Sequence, residues 1–325
     1  MPRLLKPFAQ LTVDGSQVNI SPLRAVRVQR RLSGSADELR FAMALNAGLE
    51  VQAGARVSLD LGWDGSGETV FEGTIQSLEY TLNEIHAMAF GAQKDLIHTR
   101  IDETFIDQSA GDVVQALASK AGLTLATVDP GIRLVKYHAD GSATVFEHMH
   151  ELARLCGVDV FTDQSGQVNF TKRQAFTPDY TLQYGVNLLE ARIRHGKPAV
   201  DAIEVVPESA ASQEGDEAGS WLVKAARDLA AKQGEGGVRR FSIALCTTRE
   251  TAETAAKAYQ RDLKRRAVQG RTVIMGQPAA CPGQIVELLD MPDGVSDGYY
   301  EIGGVEHALD AIRGFRSTLH LWGQA

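Results

Sequence analysis

The sequence predicts an α+β fold that is mainly β. We expect two similar antiparallel β-barrel-like modules, with a small α+β subdomain and a helical insertion between them. Three observations carry this expectation. Thirty-one glycines and ten prolines among 325 residues spread turn chemistry along the whole chain. Period-two alternation fills both ends, whereas the middle changes to capped helical patterns. A segment near the start recurs near the end.

Leu11–Val13, Asp14-Gly15 and Gln17–Ile20 read as a hairpin, because Asp-Gly supplies the positive φ of a tight turn. Val26–Arg30 and Leu39–Leu45 alternate at period two. Arg56–Leu61 and Val70–Leu82 flank a turn at Trp63–Gly67, and Glu84–Phe90 adds a further strand. Ser109 followed by Asp112 is a capping-box signal. Val113, Val114, Leu117, Ala118 and Ala121 then share one helical face, and Gly122 stops the helix. Thr144 with Glu147 starts a second helix through Met149, Leu152 and Cys156, ended by Gly157. A hairpin follows across Asp163–Gly166. Strand-like sequence returns over Tyr180–Val206, and 207–219 reads as a polar, acidic loop. Ser220–Lys232 reads as a short helix, and Thr247 with Glu250 opens another to about Arg266. Strands follow at Arg271–Met275, Gln284–Leu289, Tyr299–Leu309 and Phe315–Trp322. The expected division is therefore a first barrel-like module over 1–104, an α+β subdomain over 105–176, and a second module over 177–325. The second module carries a helical insertion at about 207–268.

The repeat relates Gly54–Glu72 to Gly283–Glu301. Gly54 meets Gly283, Val57 meets Val286, Leu59 meets Leu288, Asp64-Gly65 meets Asp293-Gly294, and Glu72 meets Glu301. Phe71 faces Tyr300, and one inserted residue then brings Ile75 against Val305. This reads as one large duplication of a module, and not as a short-period solenoid.

Basic residues number 33 and acidic residues 41, for a formal charge of −8. A chain that binds nucleic acid passively carries a basic surface, so specific nucleic-acid binding is a poor expectation. Cys156, Cys246 and Cys281 are too few and too far apart for a disulfide framework or a structural zinc site. No window is apolar enough for a membrane span. His148 and His150 invite a metal reading. Two residues apart on a helix they point to different sides, and Arg154 stands where an HExxH motif needs its second histidine. The expectation there is a solvated helix face. Lys264-Arg265-Arg266 sits where it complements a helix dipole, with an inter-subunit contact as the functional reading. No nucleophile elbow and no phosphate loop is present. No catalytic, cofactor-binding or metal-binding residue is therefore nominated, no cofactor is expected, and the chain is not expected to be an enzyme.

The closing region carries a resemblance. Gly276-Gln277-Pro278, Cys281–Leu288, Asp297–Ile302, Val305-Glu306-His307 and Gly314–Leu321 follow one another in a pattern that resembles the late control protein D family of tailed phages. The helix Ser109–Gly122, the helix Thr144–Gly157 and its hairpin look like that family's middle section. The resemblance is good over about 100–325, loose over 1–100 and absent over 207–245. It implies a baseplate hub of a contractile tail or of an R-type pyocin-like particle, related to the hub part of type VI secretion spikes. Such hubs are homotrimers. Their six barrel modules form a ring that adapts a threefold spike to the sixfold tail tube. The implied partners are the tube protein, a separate central spike protein and other baseplate proteins, with no membrane anchor. The implied location is the producing bacterium's cytoplasm during assembly, then the baseplate of the released particle. A duplicated barrel accounts independently for such symmetry matching, and the negative charge suits a lumen through which DNA slides. Free edges on Val70–Tyr80 and Tyr299–Leu309 are the expected docking strands for the tube, and the helices around 220–266 are expected to dock on a neighbouring subunit. A cell-envelope hydrolase carried on a tail tip and a free-standing β-rich binding module are the competing readings.

Overall fold

The computed structural model describes residues 5–19, 21, 23–34, 36–45, 50–163, 167–172, 177–207 and 229–323. The fold is mainly β, and thirteen strands join into one sheet that runs through both ends of the chain.

The first module contains β1 (Pro7–Val13), β2 (Ser16–Asn19), β3 (Leu23–Arg31), β4 (Glu38–Ala44), β5 (Arg56–Trp63), β6 (Ser66–Tyr80) and β7 (Glu84–Phe90). Its strands lie in the order β3-β4-β7-β6-β5-β1-β2, all antiparallel. Alternation sends Leu39, Phe41, Leu59, Leu61, Ile75 and Ala89 to one side, where they form a dry core. Each leucine, isoleucine or phenylalanine among them contributes about 1.5–3 kcal/mol by leaving water.

The middle section opens with the short helix α1 (Gln93–His98). β8 (Glu103–Ser109) pairs with β9 (Arg133–Ala139), and β10 (Asp159–Thr162) pairs with β11 (Val168–Thr171). Helix α2 (Ala110–Lys120) starts at a Ser109–Asp112 capping box, and α3 (Val145–Cys156) starts at a Thr144–Glu147 box. Gly157 ends α3 at φ 70°, a left-handed conformation that a side chain disfavours. The turn 164–166 lies outside the described residues.

The second module contains β12 (Tyr180–Gln183), β13 (Leu188–His195), β17 (Val268–Met275), β18 (Ile285–Leu289), β19 (Gly298–Asp310) and β20 (Gly314–Gly323). Between β13 and β17 come β14 (Ala202–Pro207), β15 (Ala231–Gln233), β16 (Val238–Ile243) and helix α4 (Arg249–Ala267). Of the expected loop at 207–219, Pro207 ends β14 and the rest lies outside the described residues, as does most of the expected helix Ser220–Lys232, whose described end is strand β15. The cap of α4 is Thr248 with Thr251, one residue later than the Thr247–Glu250 pattern.

The strand order of the second module, β13-β17-β20-β19-β18-β12, reproduces β3-β4-β7-β6-β5-β1 of the first, element for element in chain order. The irregularities recur as well. β3 slips between Leu23 and Ala25 and β13 between Leu188 and Glu190. β6 slips between Ile75 and Ser77 and β19 between Ile302 and Gly304. Gly54 donates to the Ile75 carbonyl and Gly283 to the Ile302 carbonyl, at 2.8 and 2.7 Å. The modules differ in one strand direction: β1 runs antiparallel to β5, and β12 parallel to β18.

These ladders correct the repeat beyond its first strand. Val57 faces Gly73 and Val286 faces Tyr300, so Tyr300 corresponds to Gly73 and not to Phe71. Ile75 corresponds to Ile302, and Leu78 to Val305. The turn after β5 is tight and β6 carries an extra residue near Val70, whereas a longer loop joins β18 to β19. An ungapped match cannot register that exchange.

The insertion packs on its own chain, and one of the two expected edges is filled. α4 packs on α3, β14 and β15 of its own chain, and its Ala252, Ala255 and Ala256 share a core with Met149, Leu152 and Val205. It does not need a neighbour to cover its apolar face. Tyr299–Leu309 has no free edge, because β20 lies on one side and β18 and β3 on the other.

Candidate functional site

The two modules meet along one pair of strands. β3 and β19 join the modules through antiparallel pairs from Gly304–Arg31 to Asp310–Ala25. Across them Gln29 donates to Glu306 at 2.9 Å. The Trp63 indole donates to the Gly276 carbonyl at 2.8 Å, and its ring lies 5.5 Å from Phe315. His307 is fully buried and bonds Ser317 through Nδ1 at 2.9 Å. Burial pushes its imidazole down to about 3, so it is neutral at pH 7.

Two buried arginines fasten the middle section to this junction. Arg30 of β3 reaches Asp37 at 3.3 Å, Cys281 Sγ at 3.1 Å and the Thr162 carbonyl at 2.9 Å, and it also donates to the Asp163 carbonyl. One side chain thus touches both modules and β10. Burial pushes the Asp37 carboxyl up to about 6, against the pull of Arg30. Arg265 of α4 grips Asp159 of β10 with two bonds of 3.1 Å and Glu301 of β19 with one of 2.6 Å. Its guanidinium lies 4.5 Å from the Trp322 ring centroid. Burial raises the Glu301 carboxyl, and Arg265 opposes it. Two cations and three carboxylates leave water here only because each finds an opposite charge.

The sequence candidates fall in different places. His148 is buried, not solvated. Its Nε2 donates to the Asp140 carbonyl at 3.0 Å, and its Nδ1 lies 2.8 Å from the Tyr137 hydroxyl. His150 is half-buried and stacks on Phe146, with ring centroids 5.9 Å apart. Among the described residues no group of three histidine, cysteine or acidic side chains is placed to hold a metal. Cys156 packs at the rim of the middle core, and burial pushes its thiol up to about 11, where a thiolate nucleophile does not form at neutral pH. In Lys264-Arg265-Arg266, Lys264 and Arg266 are exposed, whereas Arg265 forms the internal clamp just described. Both sequence readings of that cluster missed this. The only local sign was a basic residue on the turn of an alanine-rich face that packs inward.

Two clefts flank these features. One of about 440 Å³ is lined by Asp14, Arg56, Glu72, Lys94 and Asp95, three acidic residues against two basic. The other, of about 330 Å³, is lined by Arg154, Arg261, Arg265, Tyr259 and Trp322. No described helix is long and apolar enough to cross a membrane.

The Alg8 N-terminal domain family model matches residues 30–311. No curated protein matches the chain. Among solved structures, the 43 kDa tail protein of prophage MuSo2 from Shewanella oneidensis is 16% identical. It superposes with a TM-score of 0.75 over 97% of this chain and 98% of its own. A tail protein from Neisseria meningitidis MC58 is 13% identical, with a TM-score of 0.73 over 98% of this chain and 97% of its own. An E. coli component of the type VI secretion system, described as similar to the T4 tail proteins gp27 and gp5, is 10% identical. Its TM-score is 0.63 over 97% of this chain and 77% of its own. At these identities the likeness is one of fold, and the fold is that of phage tail proteins.

Proposed function

The chain belongs to the Alg8 N-terminal domain family, and from the duplicated module within its tail-protein fold we propose that it is a structural hub of a tail baseplate. Three copies would present six similar modules to a sixfold tube on one face and a threefold spike on the other. The observation that supports this most is the shared strand order of the two modules, down to the same two slips in register. A chain with two near-equivalent units is what a change from threefold to sixfold symmetry requires. The role is structural and not catalytic, in keeping with the solved neighbours described as tail proteins.

The partners we propose are further copies of this chain, a tube protein, a separate spike protein and other baseplate components of a contractile or R-type pyocin-like particle. Assembly takes place in the cytoplasm of the producing cell, before incorporation into the particle. Light scattering and negative-stain imaging test this, on the protein alone and with its neighbouring tail proteins. A threefold ring with six similar lobes supports the hub. A chain that stays monomeric beside tube and spike proteins overturns it.

A further inference from the structure

The junction between β3 and β19 is made once inside each chain, yet the duplication supplies its parts twice. β13 corresponds to β3 and β6 corresponds to β19, position by position through the shared slips. Among the described residues, β13 forms a ladder with β17 alone, apart from an isolated bridge between Leu188 and Tyr184, and beyond Ile75 the far side of β6 pairs with no strand. Each chain therefore has one unmatched copy of either half of its own junction.

Burial marks the same incompleteness. Val305 and His307, which β3 covers, are 1% and 0% exposed. Their counterparts differ: Leu78 is half-buried and Tyr80 is 61% exposed, with Leu82 beyond it 95% exposed. Leu78 packs partly on the first core and the Tyr80 hydroxyl donates to the Val51 carbonyl at 3.4 Å, but among the described residues no strand covers this edge.

We propose that the free edge of β6 in one copy pairs antiparallel with β13 of the next, in the register of the internal β19–β3 junction. This rests on the reading that the protein assembles with copies of itself. Carrying Gly304–Arg31, Val305–Arg30, Glu306–Gln29 and His307–Val28 across the duplication sets the new pairs. They are Ser77 with Gly196, Leu78 with His195, Glu79 with Arg194, and Tyr80 with Ile193. Glu79 meets a cation where Glu306 accepts from Gln29. Tyr80 meets the apolar Ile193 where His307 meets Val28. Opposite charges and aromatic–β-branched pairs directly across strands both stabilise a sheet. The contact joins unlike surfaces, so each copy gives one edge and receives one. Repetition closes into a ring when the rotation permits. The edge expected to bind the tube is assigned instead to a second copy.

The test uses the full chain with Glu79→Cys and Arg194→Cys, treated with a short bis-maleimide. Chains carrying both changes should link into a ladder that ends at the ring's copy number. A mixture of the two single variants should stop at linked dimers, and either alone should stay unlinked. In a second arm, Glu79→Arg should weaken self-association several-fold, and adding Arg194→Glu should restore it. If the wild type forms rings, but the chains carrying both cysteines do not link and the charge exchange changes nothing, the strand pairing is wrong and the hub reading stands. If the wild type never associates, even beside its tail partners, both fall.

Discussion

Replacing Arg265 with methionine removes the clamp on Asp159 and Glu301 while keeping an apolar stem over Trp322. Asp159 retains Arg261 at 3.4 Å and the Ser33 hydroxyl at 3.2 Å, so it stays partly compensated. Arg265 donates the hydrogen bond that holds the Glu301 side chain, which is left mostly buried with only the more distant Arg261 as a nearby cation. Breaking one side of a buried ion pair costs about 3–5 kcal/mol. With one carboxylate still held, about 3–4 kcal/mol is expected, a large fraction of a typical stability of about 5–15 kcal/mol. A chain with several cores need not unfold in one step, so the readout must be local. Hydrogen exchange of α4 and β10 amides should accelerate, with those of β4 and β7 unchanged. The sign with pH follows from Glu301. Its carboxyl is already raised by burial, and losing Arg265 raises it further. A carboxyl raised in the folded state supports folding below its unfolded value and ceases to as pH climbs through the folded value. The unfolded value is common to both chains, so the Glu301 part of the deficit should shrink as pH falls through the raised folded values, which lie above about 4.3. Arg266→Met, at an exposed pair with Asp262, should cost under about 0.5 kcal/mol. A loss below about 1 kcal/mol for Arg265→Met, or one shared equally by the first module, would refute the clamp.

Other expectations follow from the same junction. His307 is held neutral with its imidazole near 3. Its contribution is full above about 6.5 and is lost as pH falls toward the folded value. Its ring signals should not titrate by NMR between pH 5 and 8, and His307→Gln should flatten the acid side of the stability curve. Asp37 acts in the opposite sense: raised to about 6, it supports folding below about 4 and loses that support as pH climbs to about 6. Asp37→Asn should abolish that slope in denaturation across a pH series, at a constant cost for the stranded Arg30. A β-carbon at Gly276 would lie 2.1 Å from the Phe315 ring. Gly276→Ala should cost about 1–3 kcal/mol and lower the thermal midpoint by several degrees.

How much of this was legible depends on how local each signal is. The boxes at Ser109–Asp112 and Thr144–Glu147 lie within one turn of chain, and the helices start there. Asp14-Gly15 fixed its hairpin for the same reason. The strands β8, β9, β15 and β16 carry no such punctuation, and they owe their pairing to a core built by distant segments. The junction was least readable. Arg30 and Arg265 look like ordinary surface charges, because their partners Cys281, Thr162, Asp159 and Glu301 are far away in sequence. The duplication was visible through Val57 and Leu59, but a tight turn traded for a longer loop hid its register in the next strand. That register, once known, separates an edge that is filled, at Tyr299–Leu309, from one that is open, at the end of Val70–Tyr80.

The second module carries between its second and third strands what the first spans with a short link from Arg31 to Glu38. The additional strands and α4 fold against the middle section and leave the six-strand plan unchanged. Two units that are interchangeable along their sheets are thus distinguishable from outside. In any assembly where they alternate, a protein that touches only the common plan finds twice as many footholds as one that touches the added helix. The same chain can therefore be counted in two ways by two different neighbours, without either of its modules changing shape.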